Sequence, residues 1–470
     1  MKIEKPTNPF LKNLIPLYVL VGFIAFSIRF YLNFSQELIP GVNGGYYPLQ
    51  VRSILTNGLL GFPDMPLLFY FDAFLIKFIK LFGLSVTDTL ILSVVKIVDS
   101  ISIPLLLLPF YKIIQLSNPL PLKTFKSSIL AFSVLSFSPL ILTSDLQKNS
   151  LAILFLFCFL AYYLSFQVNQ KKTNIFLSIA FLIFTGLTHF GTFVFALLFL
   201  FLMVFYTYKK KAIFSMSILI TISLGIVFLI DISRFNRLVS LWNVVFEKPA
   251  LLNAILSPPD FLIILISIAL AIIGIIILKT KSNNLKPFQK TIVFASTVCL
   301  IALSFPLLDG EYFKRLSLFL FIPQLLLILQ ISTVISVKQL KTISITFFIF
   351  TLLSIIAVFG HPKETVIDKI AYEELKKLNS VIKNDNETIV IARHGLEWWT
   401  AWALHTKVGQ DKAIDSVLYK KYRKVIFINQ IIGFSNDSKN TPFHEPIIPR
   451  NSEMIFSSGY FKVFKLSINQ

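Results

Sequence analysis

Apolar runs of about twenty residues, separated by short polar loops, fill most of the first 360 positions of this chain. Coiled as helix, a run of that length matches the hydrocarbon core of a bilayer. The pattern predicts spans near 13–33, 88–111, 125–143, 148–167, 174–189, 191–207, 212–231, 260–278, 290–308, 316–336 and 341–360, about eleven by length. Residues 64–83 fit less well. They are apolar, but Asp72, Lys77 and Lys80 interrupt them, and Asp64, Pro66 and Gly83 mark a start and a stop. This segment reads as a helix lying along the membrane surface.

The distribution of charge supports that placement. With 64–83 on the surface, the loops carrying Lys112, Lys123 and Lys126, Lys171 and Lys172, Lys209 to Lys211, Lys279 to Lys290, and Lys338 and Lys341 all share the side of the N-terminus. None of those loops holds an acid. Asp145, Asp231, Glu247, Asp260, Asp309 and Glu311 then share the other side. The positive-inside rule makes the N-terminus cytoplasmic and the C-terminus extracytoplasmic.

Composition agrees: 55% of residues are hydrophobic and 14% charged, where a soluble protein carries roughly 25% charged. The expectation is an α-helical, multi-pass integral membrane protein. The net charge of +20 is largely cytoplasmic lysine and calls for membrane lipids, not nucleic acid, as partner. The usage, rich in Lys, Ile and Phe, points to a prokaryotic cell membrane. Cys158 and Cys299 lie inside apolar runs and suggest neither a disulfide nor a metal site. Leu14–Ile28 follows Lys2, Lys5 and Lys12 without a small-residue cleavage site, so it reads as an uncleaved first span.

After Gly360 the character changes. Residues 361–470 are soluble in pattern, with an amphipathic helix over 363–383, strands at Glu387–Ala392 and Arg423–Asn429, a helical run Leu396–His405 between them, and a hairpin over 453–468. The chain therefore divides into a membrane domain, 1–360, and a small α/β extracytoplasmic domain, 361–470. Within the first, residues 34–87 form a long outer loop holding Pro40, Gly41, Gly44, Gly45, Tyr46, Tyr47 and Arg52. It is the one long polar-to-aromatic interruption of the first third.

No nucleophile elbow, P-loop, HExxH or glycine-rich dinucleotide motif is present. What stands out is the order of parts. A first span leads into an outer loop with Asn43-Gly44-Gly45-Tyr46. A surface helix follows, then further spans with Asp145 just outside the third, and finally a soluble outer domain. This organisation resembles the GT-C superfamily of membrane glycosyltransferases, which includes oligosaccharyltransferase catalytic subunits, protein O-mannosyltransferases and aminoarabinose transferases. The resemblance implies transfer of a sugar from a polyprenyl-phosphate-linked donor to a glycan, lipid or protein acceptor at the outer face.

It also implies roles for single residues. The family's first-loop acid falls on Asn43, or on Gly44 one register away. Asn43 has no titratable carboxylate; it serves to orient an acceptor or only to make a tight turn. Asp64 is the nearest carboxylate for the missing base, or else a helix cap. Asp145 matches the second outer-loop acid. Metal-using members carry a pair of acids there, so a divalent ion, Mg or Mn, is left open by the single one. Lys148 follows by three residues, to bind phosphate or to pair with Asp145. Arg315, at the start of the tenth span, suits a lipid-linked phosphate, with Glu311 as ion-pair partner or further substrate contact. Arg52 has the same two readings. His189 and Tyr46 are further substrate contacts. Asp99, inside the second span, is a functional candidate as an intramembrane acid, though a local pair with Lys96, three residues away, is the cheaper account and the one expected. Trp398, Trp399 and Trp402 suit sugar stacking or the core of the small domain. Two other functions stay open: a flippase for a lipid-linked glycan, and a non-catalytic GT-C-like binding subunit.

Overall fold

A computed structural model describes residues 15–117, 122–230, 258–382, 387–410, 422–433 and 445–467, with a few isolated positions between. Lys2, Lys5, Lys12, Asp231 and the side chains of Lys210, Lys211, Asp260 and Glu311 lie outside the described residues.

The chain opens with α1 (Ile15–Phe34), then α2 (Tyr46–Asn57) and α3 (Leu67–Lys80) in the first loop. It continues with α4 (Asp88–Ser102), a 3-10 turn at Pro104–Leu106 and α5 (Leu107–Ser117). Pro104 has no N–H to give, which breaks this second span into two pieces. Next come α6 (Lys123–Leu135), the short α7 (Phe137–Ile141), α8 (Gln147–Asn169), α9 (Lys172–Thr188), α10 (Phe190–Tyr208) and α11 (Lys210–Ile230). The bundle ends with α12 (Pro258–Thr280), α13 (Pro287–Leu303), α14 (Gly310–Ser317), α15 (Phe321–Ile331) and α16 (Val337–Gly360).

Among the described residues, eight helical stretches are long and apolar enough to cross a bilayer, and α9 and α13 are shorter apolar helices. Only helix satisfies every backbone donor and acceptor without water, which is why these runs coil rather than pair as strands. The chain is an integral, multi-pass membrane protein. The helix α3 is not among the candidate spans. It buries Leu68, Phe69, Asp72, Ala73 and Ile76 against the bundle and exposes Tyr70, Phe71, Phe74 and Phe78 on the opposite side.

The C-terminal part holds, among the described residues, α17 (Lys369–Lys377), α18 (Leu396–Leu404) and five strands, β1 (Thr388–Ala392), β2 (Val408–Gln410), β3 (Lys424–Gln430), β4 (Glu453–Ser457) and β5 (Phe461–Ser467). The sheet order is β2-β1-β3-β5-β4, parallel across β2, β1 and β3 and antiparallel beyond. Strand alternation splits its core. Val390, Ala392, Ile426 and Ile428 join the apolar core that runs through α18 into the bundle, while Ile389, Ile391, Val425, Phe427 and Leu466 form a separate cluster on the other face.

The expected Lys96–Asp99 pair does not form. Asp99 pairs with Arg29 of α1, 2.9 Å away, both side chains fully buried. Arg29 also donates to the carbonyls of Pro139 (2.6 Å) and Asp99 (3.0 Å) and to Ser150 Oγ (3.1 Å). Lys96 instead donates to the carbonyls of Gln36 (2.7 Å) and Glu37 (2.8 Å) at the end of α1. Spacing allowed the local pair, but a guanidinium with five donors satisfies more buried acceptors at once than an ammonium does.

Asp72 is the exception to this economy. It is fully buried, and neither carboxylate oxygen has a hydrogen-bond partner among the described residues. Burial, and then the charge of Asp99, push its carboxyl well above the usual carboxylate range. Folded Asp72 thus keeps its proton where the unfolded chain loses it, so stability is greatest at acid pH and falls as pH rises above the ordinary carboxylate value. Asp72→Leu is expected to flatten that slope and to stabilise the chain at pH 8 by on the order of 1–3 kcal/mol. Thermal melting in nanodiscs at pH 5 and pH 8 checks this; equal melting of the two proteins at pH 8 counts against it.

Candidate active site

The first loop turns sharply at Gly41–Gly45 before α2 begins. Gly44 N–H donates to Gly41 O and Tyr46 N–H to Asn43 O. Gly41 has φ +91°, and a Cβ there would strike Asp145, with Cγ at 2.7 Å. Only glycine lets the loop lie this close to that carboxylate. Asn43 N–H then donates to Asp145 Oδ1 at 2.6 Å.

The two tyrosines that open α2 reach two different acids. Tyr47 OH donates to the main-chain carbonyl of Asp145 at 3.0 Å. Burial, then the negative charge of Asp145, hold its phenol well above its ordinary value, so it stays a donor. Tyr46 OH donates to Asp64 Oδ2 at 2.6 Å. The same Asp64 oxygen takes an ion pair from Lys148, in the first turn of α8. The Asp64 side chain is only 4% exposed. Asp64 does not cap α3; Pro66 holds the cap position without a side-chain bond, and Asp64 Oδ1 accepts from Met65 N–H at 2.8 Å. Gln50 fastens the cluster, donating to Tyr46 OH (2.8 Å) and Phe62 O (2.9 Å).

The C-terminal domain packs over this cluster. Trp398 stands edge-on to Tyr46 (5.0 Å between centroids) and Phe62 (5.1 Å). A Cβ at Gly45 would lie 3.0 Å from Trp398 Cβ, so the loop and α18 meet backbone to side chain. Arg52 holds them together by donating to Trp402 O and Ala401 O, both 2.8 Å, with its guanidinium 4.2 Å from the Trp402 ring centre. Lys363, on the way from α16 to the sheet, donates to Ile141 O at 2.6 Å, beside the turn that carries Asp145.

No protein-family model and no curated protein matches this chain. Solved structures do. ArnT from Cupriavidus metallidurans bound to undecaprenyl phosphate superposes with a TM-score of 0.51 at 11% identity, covering 95% of this chain and 97% of that one. The apo form gives 0.52 at 11% identity, with 97% and 98% covered. The chain shares the fold of these ArnT structures.

Within this fold the predicted site residues separate into two groups. Asn43, Tyr46, Asp64, Asp145 and Lys148 come together between α2, α3 and the start of α8. Arg315 is exposed on α14, whose Phe313 packs on Ile264 and Leu308. His189 caps α10, with Nδ1 2.9 Å from Thr192 Oγ1 and accepting from Thr192 N–H at 3.1 Å. The expected phosphate or ion-pair role of Arg52 gives way to its grip on α18; Asp88 is its more distant ion-pair partner at 3.8 Å. Trp399 and Trp402 are buried in the domain core. Asn43 meets the site through its main chain, and its side chain makes no hydrogen bond among the described residues.

A divalent ion needs several oxygen ligands. Among the described residues no cluster of three or more His, Cys, Asp or Glu exists, and Asp64 is already engaged by Lys148. Sequence reasoning passed over Gln50, Tyr47 and Lys363. Gln50 had a signal, lying one helical turn after Tyr46 in the same amphipathic stretch.

Arg52 offers the plainest test of the docking. Arg52→Ala is expected to raise amide exchange in α18 about tenfold or more, since two charge-assisted bonds of roughly 1.5–3 kcal/mol each are lost. Exchange in α8 should not change. Arg52→Lys should recover only part, because a point charge cannot serve two carbonyls as a planar fork does. Unchanged α18 exchange in Arg52→Ala would remove Arg52 from this role.

Proposed function

We propose that this chain is a membrane glycosyltransferase that moves a sugar from a polyprenyl-phosphate-linked donor to an acceptor at the outer face of the membrane. The observation that carries the reading is the Asp64–Lys148–Tyr46 cluster, with Asp145 three residues before Lys148, at the membrane surface of an ArnT-like fold. One neighbour of that fold was crystallised with undecaprenyl phosphate.

The chemistry follows from the groups present. Lys148 sits in the first turn of α8, whose start has no side-chain cap. A cation beside unsatisfied helix N–H groups suits a phosphate. A donor phosphate arriving there draws Lys148 away from Asp64 and exposes a carboxylate oxygen. Asp145, fixed through Asn43 N–H, accepts the proton of the acceptor hydroxyl. The acceptor oxygen attacks the anomeric carbon as the bond to phosphate breaks, and the phosphate leaves with the electron pair on the lipid carrier. A single displacement inverts the anomeric configuration. Tyr46, Phe62 and Trp398 offer aromatic surface for the sugar.

Release of labelled sugar from polyprenyl-phosphate donors by the purified full chain tests the reading. Asp145→Asn is expected to lower turnover by about 10²–10⁴-fold, the range of a lost general base. Lys148→Met should mainly weaken donor capture, raising KM more than it lowers kcat. Donor bound by the parent protein without turnover would sink the enzyme reading and favour a binding subunit.

A further inference from the structure

The residue before Asp145 carries a conformation that needs explaining. Ser144 is buried and has φ +71°, which for a residue with a Cβ costs of order 1–3 kcal/mol and persists only where the surroundings enforce it. Two bonds enforce it here. Ser144 N–H donates to Asp99 Oδ2 at 2.8 Å, and Ser144 Oγ donates to Asn33 Oδ1 at 2.7 Å. Asn33 in turn donates to the same Asp99 oxygen at 2.9 Å and to Ser100 Oγ at 2.9 Å. The other Asp99 oxygen takes Arg29.

All four residues are buried: Arg29, Asn33, Asp99 and Ser144 are each at most 2% exposed. They join α1 and α4 to the turn between α7 and α8. That turn is what presents Asp145 to Asn43 N–H. A buried ionic group in a membrane bundle is costly and carries a function by default. Bundle packing alone would not require an acceptor aimed at a strained main-chain N–H one residue from a carboxylate.

We infer that Asn33 and Asp99 are positioning residues for Asp145: they lock Ser144 in its left-handed conformation and so aim the neighbouring carboxylate at the first loop. The assignment of a catalytic role to Asp145 rests on the function proposed above; the lock itself does not.

The test reads the position of residue 145 without relying on activity. In a full chain with Cys158 and Cys299 replaced by alanine, Asp145→Cys is labelled with a charged methanethiosulfonate in nanodiscs. Adding Asn33→Ala is expected to raise the labelling rate about tenfold, the opening expected when roughly one hydrogen bond is lost (~1.4 kcal/mol). Ser144→Ala should do the same. It removes only the Oγ bond and keeps the Cβ that resists a positive φ, a smaller change than Asn33→Ala. Labelling of Tyr70→Cys, exposed on α3, should stay level. Rates at position 145 within about twofold of the parent in both variants, less than ~0.4 kcal/mol of opening, would overturn the lock.

A second arm addresses catalysis. Asn33→Ala should lower kcat for donor turnover in the parent, with donor KM unmoved, and should have no further effect in Asp145→Asn. An equal kcat loss in both backgrounds would overturn positioning through Asp145. If the parent turns over no donor, the functional reading fails while the labelling still decides the lock.

Discussion

A charge placed inside a membrane bundle must find every partner it needs within the protein, because the surrounding lipid offers none. Arg29 and Asp99 meet that demand together. The guanidinium takes a carboxylate oxygen, two carbonyls and a hydroxyl from three different parts of the chain. The second oxygen of Asp99 takes two more donors. The geometry of this knot therefore fixes the relative positions of α1, α4 and the α7–α8 turn. Everything at the site hangs from those three pieces: the first loop leaves the end of α1, and both Asp145 and Lys148 leave the turn.

The C-terminal domain is attached by a different kind of force. Trp398 and Trp402 bring apolar area to α2, and Arg52 supplies a directional clamp at the end of α18. Apolar burial is nondirectional and sets affinity, whereas the fork of Arg52 sets register. Gly45 is small enough for the two surfaces to meet at backbone distance. The result is one continuous apolar core from bundle to sheet, although the sequence changes character abruptly at Gly360.

Much of this was legible in the amino-acid pattern. Helices and strands follow from hydrophobic period, and periods are local. The two parallel strands and the hairpin fall where alternation marks them. The gathering of Asp64, Asp145 and Tyr46 could be anticipated because loop residues at one end of a helix bundle have little room to disperse. The partners could not. Lys96 lies three residues from Asp99, and helical spacing suggests a bond between them; the true partner is 70 positions away on another helix. Asp64 looked like a cap because it precedes a helix, yet a lysine from α8 claims it. Which of several chemically equivalent cations meets a given acid is decided by tertiary geometry, and one-dimensional spacing carries no record of that.

The clamp between Arg52 and α18 has a consequence for how the protein comes into being. Its donor and its acceptors are separated by about 350 positions, so the ribosome has made nearly the whole chain before they can meet. Until then the first loop has its carboxylates but no roof. Long-range closure of this kind is a late event in folding. A nascent chain thus has its membrane helices in place while the first loop is still uncovered, and the completed C-terminal domain is what packs over it.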